Sequence, residues 1–310
     1  MDALTVHGEA SIRKGSSSFR AASRLFASPM REDAWLLYAW CRRCDDEIDG
    51  QHSGFGNDGL DAPERKRRLE RLTQLTRAAL DGLPTDDPDF AAFQRVAARH
   101  SFDPSWPLIL LEGFAMDVDN RSYETIEDTL DYCFAVAGIV GVMMARIMGV
   151  TDFDALRRAQ DLGLAFQLTN IVRDIYEDAR AGRVYLPARW LREENIESTP
   201  EGVLCPDNAR AVHRIALNVL RCADDYYASS RQGLRQLTTR AAFAVATARD
   251  VYREIGRVVQ RGGPSVLATR ASASSPARVR LLLRGCAVAA WSRGERARST
   301  RVRPELWTRI

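Results

Sequence analysis

Lysine is almost missing from this chain. Of its 44 basic side chains only Lys14 and Lys66 are lysines; the rest are arginines, whose permanent charge and planar donor fork suit phosphate, though genome composition can produce the same bias. The net charge of +3 over 310 residues is too small to imply a nucleic-acid partner. Histidine is scarce, with four in all, and no Glu-x-x-His motif of the di-iron bundles occurs. The six cysteines (Cys41, Cys44, Cys133, Cys205, Cys222, Cys286) are scattered, so no disulfide framework is expected. Cys41-Arg-Arg-Cys44 has no second pair to make a zinc site, and it falls inside a helical pattern, which favours plain packing. No signal peptide is apparent, and a reduced cytoplasmic setting is expected. The longest apolar run, Cys133 to Ala145, is shorter than the roughly 20 residues that span a bilayer and reads as a buried core helix. No segment alternates with period two, and no Gly-x-Gly-x-x-Gly follows a strand-like run.

What remains is helix. Hydrophobic content of 45% and charged content of 27% are ordinary for a globular chain long enough to bury a large core. Helical patterns are predicted over 31–50, 63–81, 88–100, 104–118, 124–149, 152–180, 187–195, 207–231, 238–261 and 276–291, separated by Gly, Pro and Asp turn signals. The expected organisation is a loose arm over 1–15, a single all-α domain over 16–292 and a basic tail over 293–310. That tail is either solvated or drawn to an anionic membrane surface.

Two of these helices carry an anomaly. Over 167–178, Gln167, Asn170, Asp174 and Asp178 fall within a sector roughly 80° wide at about 100° per residue, beside Leu164, Leu168, Ile171 and Ile175. Aspartates at i,i+4 repel by about 0.2–0.5 kcal/mol on a surface, and burial without a partner costs far more. A solvated polar face is the plain alternative. Over 35–49 the theme repeats, with Trp35, Tyr38, Arg42, Asp45 and Asp49 in one sector.

Carboxylates in such pairs suit Mg²⁺ or Mn²⁺, which keep waters and bind substrate phosphates. Glycoside hydrolysis needs one acid and one base, and four aspartates beside Arg42 and Arg173 fit it poorly. Metal-assisted loss of diphosphate fits better, with Arg42, Arg173 and Arg183 as clamps on the leaving group. The resulting allylic cation needs a dry cavity and aromatic faces; Phe19, Phe26, Trp35, Tyr38, Tyr132 and Tyr252 are the candidates, beside ordinary core roles. Ser16-Ser17-Ser18 reads as a helix cap or as a polar lip near a phosphate. The small residues of Ala137-Gly-Ile-Val-Gly141 permit close helix packing or leave room for a ligand. The break at Ala181–Pro187 carries Arg183 and Tyr185 on a loop able to close over the aspartates.

With these motifs in hand, the chain resembles the head-to-head prenyl synthases, the family of phytoene, squalene and dehydrosqualene synthases. The resemblance runs from Gly15 to about Gly262. It rests on Ser16–Phe19, Tyr38–Asp49, Tyr132–Gly141, Gln167–Asp178 and Gly182–Pro187; Leu111–Asp117 and Leu162–Gln167 look most like bacterial phytoene synthases. It implies an isoprenoid-synthase helical bundle around a central cavity, with the two aspartate motifs on facing helices. It implies that two geranylgeranyl diphosphates condense through prephytoene diphosphate to phytoene, the first committed step of carotenoid biosynthesis. Two or more Mg²⁺ or Mn²⁺ ions bridging diphosphate would be held by Asp45, Asp49, Asn170, Asp174 and Asp178. Ser16, Ser18, Phe19, Arg42, Gln167, Arg173, Arg183 and Tyr185 would contact substrate, and Tyr38, Tyr132 and Tyr252 would line the reaction centre. No redox cofactor is expected, and ATP is left open as a non-hydrolysed activator. Peripheral membrane contact and downstream carotenoid enzymes are the expected partners. Two departures stand out: Ser17 where the family often has Lys, and Gly50 where an acid is frequent. The same chemistry on farnesyl diphosphate, giving squalene, hydroxysqualene or dehydrosqualene, is the nearest alternative, and a non-enzymatic helical scaffold is the distant one.

Overall fold

The computed structural model describes residues 2–15, 23–50, 60–269, 303 and 305–309, and these contain no β-strand. Two compact units divide the chain: Met1–Asp119 with Val142–Thr151, and Asn120–Gly141 with Asp152–Ile310.

The first unit is built on α1 (Ala3–Gly15), α2 (Ser28–Asp49), α3 (Ala62–Leu80), α4 (Pro88–His100) and α5 (Ser105–Val118). Helix α2 has a proline in its first turn, where a missing N–H removes no helical bond. It stops at Gly50, which adopts a left-handed φ of 62° and donates its N–H to the carbonyl of Asp46. That geometry accounts for glycine after Asp49. Asp61 and Asp87 cap α3 and α4 through their carboxylates. Trp40 stacks on Phe93 with ring centroids 4.3 Å apart, and Leu36, Leu37, Ile48, Leu72 and Phe90 are buried around them. The expectation of a loose arm over 1–15 is corrected: α1 is a helix packed on α2, with Thr5, Gly8 and Ile12 inward. A Cβ at Gly8 would lie 3.1 Å from the Trp35 carbonyl carbon, so the backbones approach closely. Two of the three inward residues are not large and apolar, which hid the helical period.

In the second unit, α6 (Ile126–Cys133) passes through a π-helical turn, Phe134–Gly138, into α7 (Ile139–Ile147), whose residues from Val142 belong to the first unit. Then come α8 (Phe153–Arg180), α9 (Ala188–Glu193), α10 (Pro200–Leu204), α11 (Ala209–Ser230) and α12 (Thr239–Gly262). The stretch Ile126–Ile147 is apolar and long enough to cross a bilayer, yet Phe134, Ile139, Val142 and Met143 are fully buried against protein, as a core helix requires. Helix α8 is the spine, with α11, α12 and the π turn packed on it. A Cβ at Gly163 would meet the Ala137 carbonyl oxygen at 2.3 Å, and one at Gly141 the Ala159 carbonyl oxygen at 2.5 Å. The small residues of 137–141 therefore serve close helix packing, not ligand room.

The helix expected over 276–291 lies outside the described residues. Within the basic tail, Arg303 is not solvated: it pairs with the buried Asp161 of α8, through contacts of 2.6 and 2.9 Å.

Candidate active site

The first acidic group sits on the last two turns of α2. Arg42 lies between two carboxylates: Nη1 donates to Asp45 at 2.9 Å, and Nη2 makes an ion pair with Asp46 at 2.7 Å. Asp46 was not among the expected residues; it lies one position off the Asp45–Asp49 stripe, and a long guanidinium reaches both rows. Burial pushes the Asp45 carboxyl up to about 6, against Arg42 and with added repulsion from Asp49, Asp46 and Asp117, although 40% of its side chain still meets solvent. Asp117, from the end of α5, is thus a further acid near this group that spacing along α2 had no means to reveal. Burial also holds the Tyr38 phenol up to about 12, so Tyr38 presents a neutral ring and hydroxyl. Trp35 is buried, donates from Nε1 to Ser23 Oγ at 3.0 Å and carries Arg31 over its ring at 5.3 Å. Behind the stripe, Cys41 and Cys44 are free thiols pushed up by burial, Cys41 to about 12, which fits the packing reading of that pair.

The second group lies on the C-terminal half of α8. Gln167 accepts a hydrogen bond from Asn170 Nδ2 at 3.3 Å, and Asn170 Oδ1 is buried without a donor. The Arg173 guanidinium pairs with the neighbouring Asp174, with Nε 2.9 Å from Oδ1. After Asp178 the helix stops. Gly182 takes a left-handed φ of 82°, and Arg183 N–H donates to the Asp178 carbonyl at 2.8 Å. The turn brings Arg183 and Tyr185 beside Ile171, Ile175 and Asp178, lining a small recess.

The 181–187 loop is anchored at Tyr185 and just beyond its end. Thr129 Oγ1 donates to the Tyr185 carbonyl at 3.0 Å, and Ala188 N–H to the Tyr123 carbonyl at 2.7 Å. Tyr185 stacks on Tyr132 at 4.7 Å with planes 20° apart, and Tyr123, unforeseen, completes a buried trio at 5.5 and 5.8 Å. Tyr252, on α12, joins a different aromatic group: it meets Phe166 at 4.4 Å, while Tyr227 lies 6.2 Å from Phe166 and its hydroxyl is 2.9 Å from that of Thr169. Tyr252 is still close enough to bear on the charge of Arg173. Ser16, Ser18 and Phe19 lie outside the described residues.

Among the described residues no three His, Cys, Asp or Glu side chains converge as a metal site by themselves. The candidate ligands are Asp45 and Asp49 on α2, and Asp174 and Asp178 on α8, with Asn170 added on α8. Hard oxygen donors of this kind leave several positions for phosphate oxygens and water, and the orphaned Asn170 Oδ1 is a buried acceptor that a cation would satisfy.

The profile of the Squalene/phytoene synthase family matches residues 12–280. The chain belongs to the squalene/phytoene synthase family. Among its relatives in that family, a phytoene synthase from Pseudescherichia vulneris is 47% identical over 309 residues, covering 99% of this chain and 98% of the relative. A 15-cis-phytoene synthase from Pantoea ananas is 46% identical, with the same coverage. Solved structures agree on the fold: a ligand-bound dehydrosqualene synthase superposes with a TM-score of 0.78 at 25% identity, over 93% of this chain and 97% of that one. A squalene synthase from Alicyclobacillus acidocaldarius gives 0.73 at 25% identity, over 84% and 94%. The family's isoprenoid-synthase helical fold is therefore the fold of this chain.

Proposed function

We propose that this enzyme joins two geranylgeranyl diphosphates head to head, making phytoene. In the first half, loss of one diphosphate and one proton forms the cyclopropylcarbinyl intermediate, prephytoene diphosphate. In the second, loss of the other diphosphate, rearrangement and loss of another proton give the hydrocarbon, with no reductant consumed. The observation that carries this reading is the α8 stripe: Gln167, Asn170, Asp174 and Asp178 set in an apolar helix, with an unsatisfied buried amide oxygen in their midst. The choice of the C20 substrate rests on the 46–47% identity to phytoene synthases over nearly the whole chain.

Asp45 and Asp49 on α2, and Asn170, Asp174 and Asp178 on α8, are the residues that would hold Mg²⁺ or Mn²⁺. When bound, such ions supply Lewis-acid neutralisation of the departing diphosphate. Arg42, Arg173 and Arg183 bind diphosphate oxygens, a role for which guanidinium forks are shaped. For Arg173 this means exchanging Asp174 for substrate. Gln167 orients Asn170. Neutral Tyr38 and the Tyr132–Tyr185 stack offer faces to the allylic cation and exclude water, and Tyr252 serves beside Phe166. Ser16, Ser18 and Phe19, which lie outside the described residues, would contact substrate as the family resemblance implies. The reading includes a cytoplasmic enzyme that meets its amphipathic substrate at a membrane surface, close to later carotenoid enzymes.

The test is to incubate purified protein, without reductant, with geranylgeranyl or farnesyl diphosphate and Mg²⁺ or Mn²⁺, and to weigh the hydrocarbon. A C40 product from the C20 substrate is expected. Products from farnesyl diphosphate alone, or none until a reduced nicotinamide is added, would overturn the assignment.

A further inference from the structure

Asp161 is fully buried in α8, six positions before Gln167, or about 9 Å along the helix. A carboxylate so placed is tolerated only when it is paired and hydrogen-bonded. Its partners come from far along the chain. Ser229 Oγ, on α11, donates at 2.5 Å, and Arg303 closes a two-pronged pair, Nε to Oδ2 at 2.9 Å and Nη2 to Oδ1 at 2.6 Å. The guanidinium also donates to the carbonyls of Leu306 and Trp307, at 3.2 and 3.3 Å, folding the segment around itself.

The same segment grips three helices. Thr308 Oγ1 accepts from Gln160 of α8 at 3.1 Å, and the Trp307 carbonyl accepts from the Tyr226 hydroxyl of α11 at 3.3 Å. On the third, Trp307 meets Phe134 of the π turn edge-on at 6.3 Å, while Arg309 sits over the Phe134 ring at 5.5 Å and pairs with Asp131 of α6 at 3.3 Å. These grips surround the crossing at which α8 and the π turn touch backbone to backbone, Gly163 against Ala137 and Gly138. From that crossing Tyr132 extends on one helix and the Gln167–Asp178 stripe on the other. The π turn interrupts the α-helical bonding pattern beside this crossing, a feature frequent at functional sites.

We infer that Arg303 is a positioning residue for the reaction: through Asp161 it locks the crossing of α8 with the π turn, and so fixes Tyr132 relative to the Gln167–Asp178 stripe. The inference rests on the reading of those residues as reaction machinery. Substrate need not touch Arg303. Its loss disturbs the second ionisation most, because there a cyclopropylcarbinyl cation must be steered among competing rearrangements.

The experiment uses the full chain with geranylgeranyl diphosphate and Mg²⁺, below each variant's own melting temperature, comparing R303Q, Arg303→Lys and the neutral pair D161N/R303Q. The readout is the ratio of released prephytoene diphosphate to phytoene, which a change in the folded fraction does not move. R303Q is expected to lower phytoene formation by about 10- to 100-fold, the range for residues that orient a site from behind, with the intermediate released. Lysine, which lacks the fork, recovers only part, and the neutral pair, which removes the stranded charge without restoring the fork, stays impaired. An unchanged ratio in R303Q, or a wild-type ratio in the neutral pair, overturns the inference. Should R303Q not fold, a wild-type ratio in Arg303→Lys overturns it. A wild-type chain that turns over only farnesyl diphosphate would refute the substrate reading and leave the Arg303 comparison to be run on that substrate.

Discussion

Replacing Gly163 with alanine tests the crossing on which both the aromatic wall and the α8 stripe depend. The added methyl would lie 2.3 Å from the Ala137 carbonyl oxygen and 2.7 Å from both the Ala137 carbonyl carbon and Gly138 Cα. The shortest tolerated carbon–oxygen contacts are about 3.3–3.6 Å, so the helices must separate by about 1 Å. All three atoms are backbone, and no rotamer change relieves them. Overpacking of this kind costs about 1–3 kcal/mol, and the upper end applies here. Alanine returns roughly 0.5–1 kcal/mol of helix propensity. The net loss is about 2 kcal/mol, or about 4–8 °C in Tm for a unit of this size. Gly256→Ala is the control: its methyl would meet only the end of the Leu220 side chain, at 2.9 Å, which can rotate away. Thermal unfolding followed by circular dichroism, with phytoene formation measured alongside, gives the comparison. A G163A protein that melts with G256A and keeps full activity would refute the close crossing.

Three further outcomes are expected. Asp45 has its pKa raised to about 6 in the folded protein, so its charged form is disfavoured there and its ionisation weakens the metal-free fold as pH rises through about 6. Mn²⁺ affinity, read by electron paramagnetic resonance, should therefore increase from pH 5 to about 7, and D45N should flatten that slope; an unchanged slope in D45N would remove Asp45 from the metal site. Asn170→Ala deletes a buried acceptor that has no donor and one long bond to Gln167, so thermal stability should move by no more than about 1 kcal/mol while metal-dependent diphosphate release falls by at least about tenfold; equal release would remove Asn170 from the ligand set. Cys41 and Cys44, with thiols raised by burial, should resist alkylation at pH 8 in the folded protein and react on unfolding; rapid native labelling would contradict their packing role.

Local chemistry made the helices legible. The helix expected over 88–100 spans Pro88–His100, and the one expected over 152–180 spans Phe153–Arg180, because caps such as Asp87 and Asp152 and a Gly182 stop act within a turn or two of themselves. The stripes on α2 and α8 follow from the same helical period and needed no tertiary knowledge to find. Helix α1 escaped because its inward face is Thr5, Gly8 and Ile12, chosen for close approach to α2 more than for apolar bulk.

What the sequence determined by itself, then, is the all-α class, most helix limits and the presence of two acid-bearing faces, since each is set by residues three or four apart. Only the tertiary structure decided that Asp117 crowds Asp45, that Tyr123 joins Tyr132 and Tyr185, and that Arg303 neutralises Asp161 across 142 positions. No pattern along the chain encodes those pairings. They arise where helix packing brings distant side chains together and where a buried charge must find its partner wherever the fold delivers one.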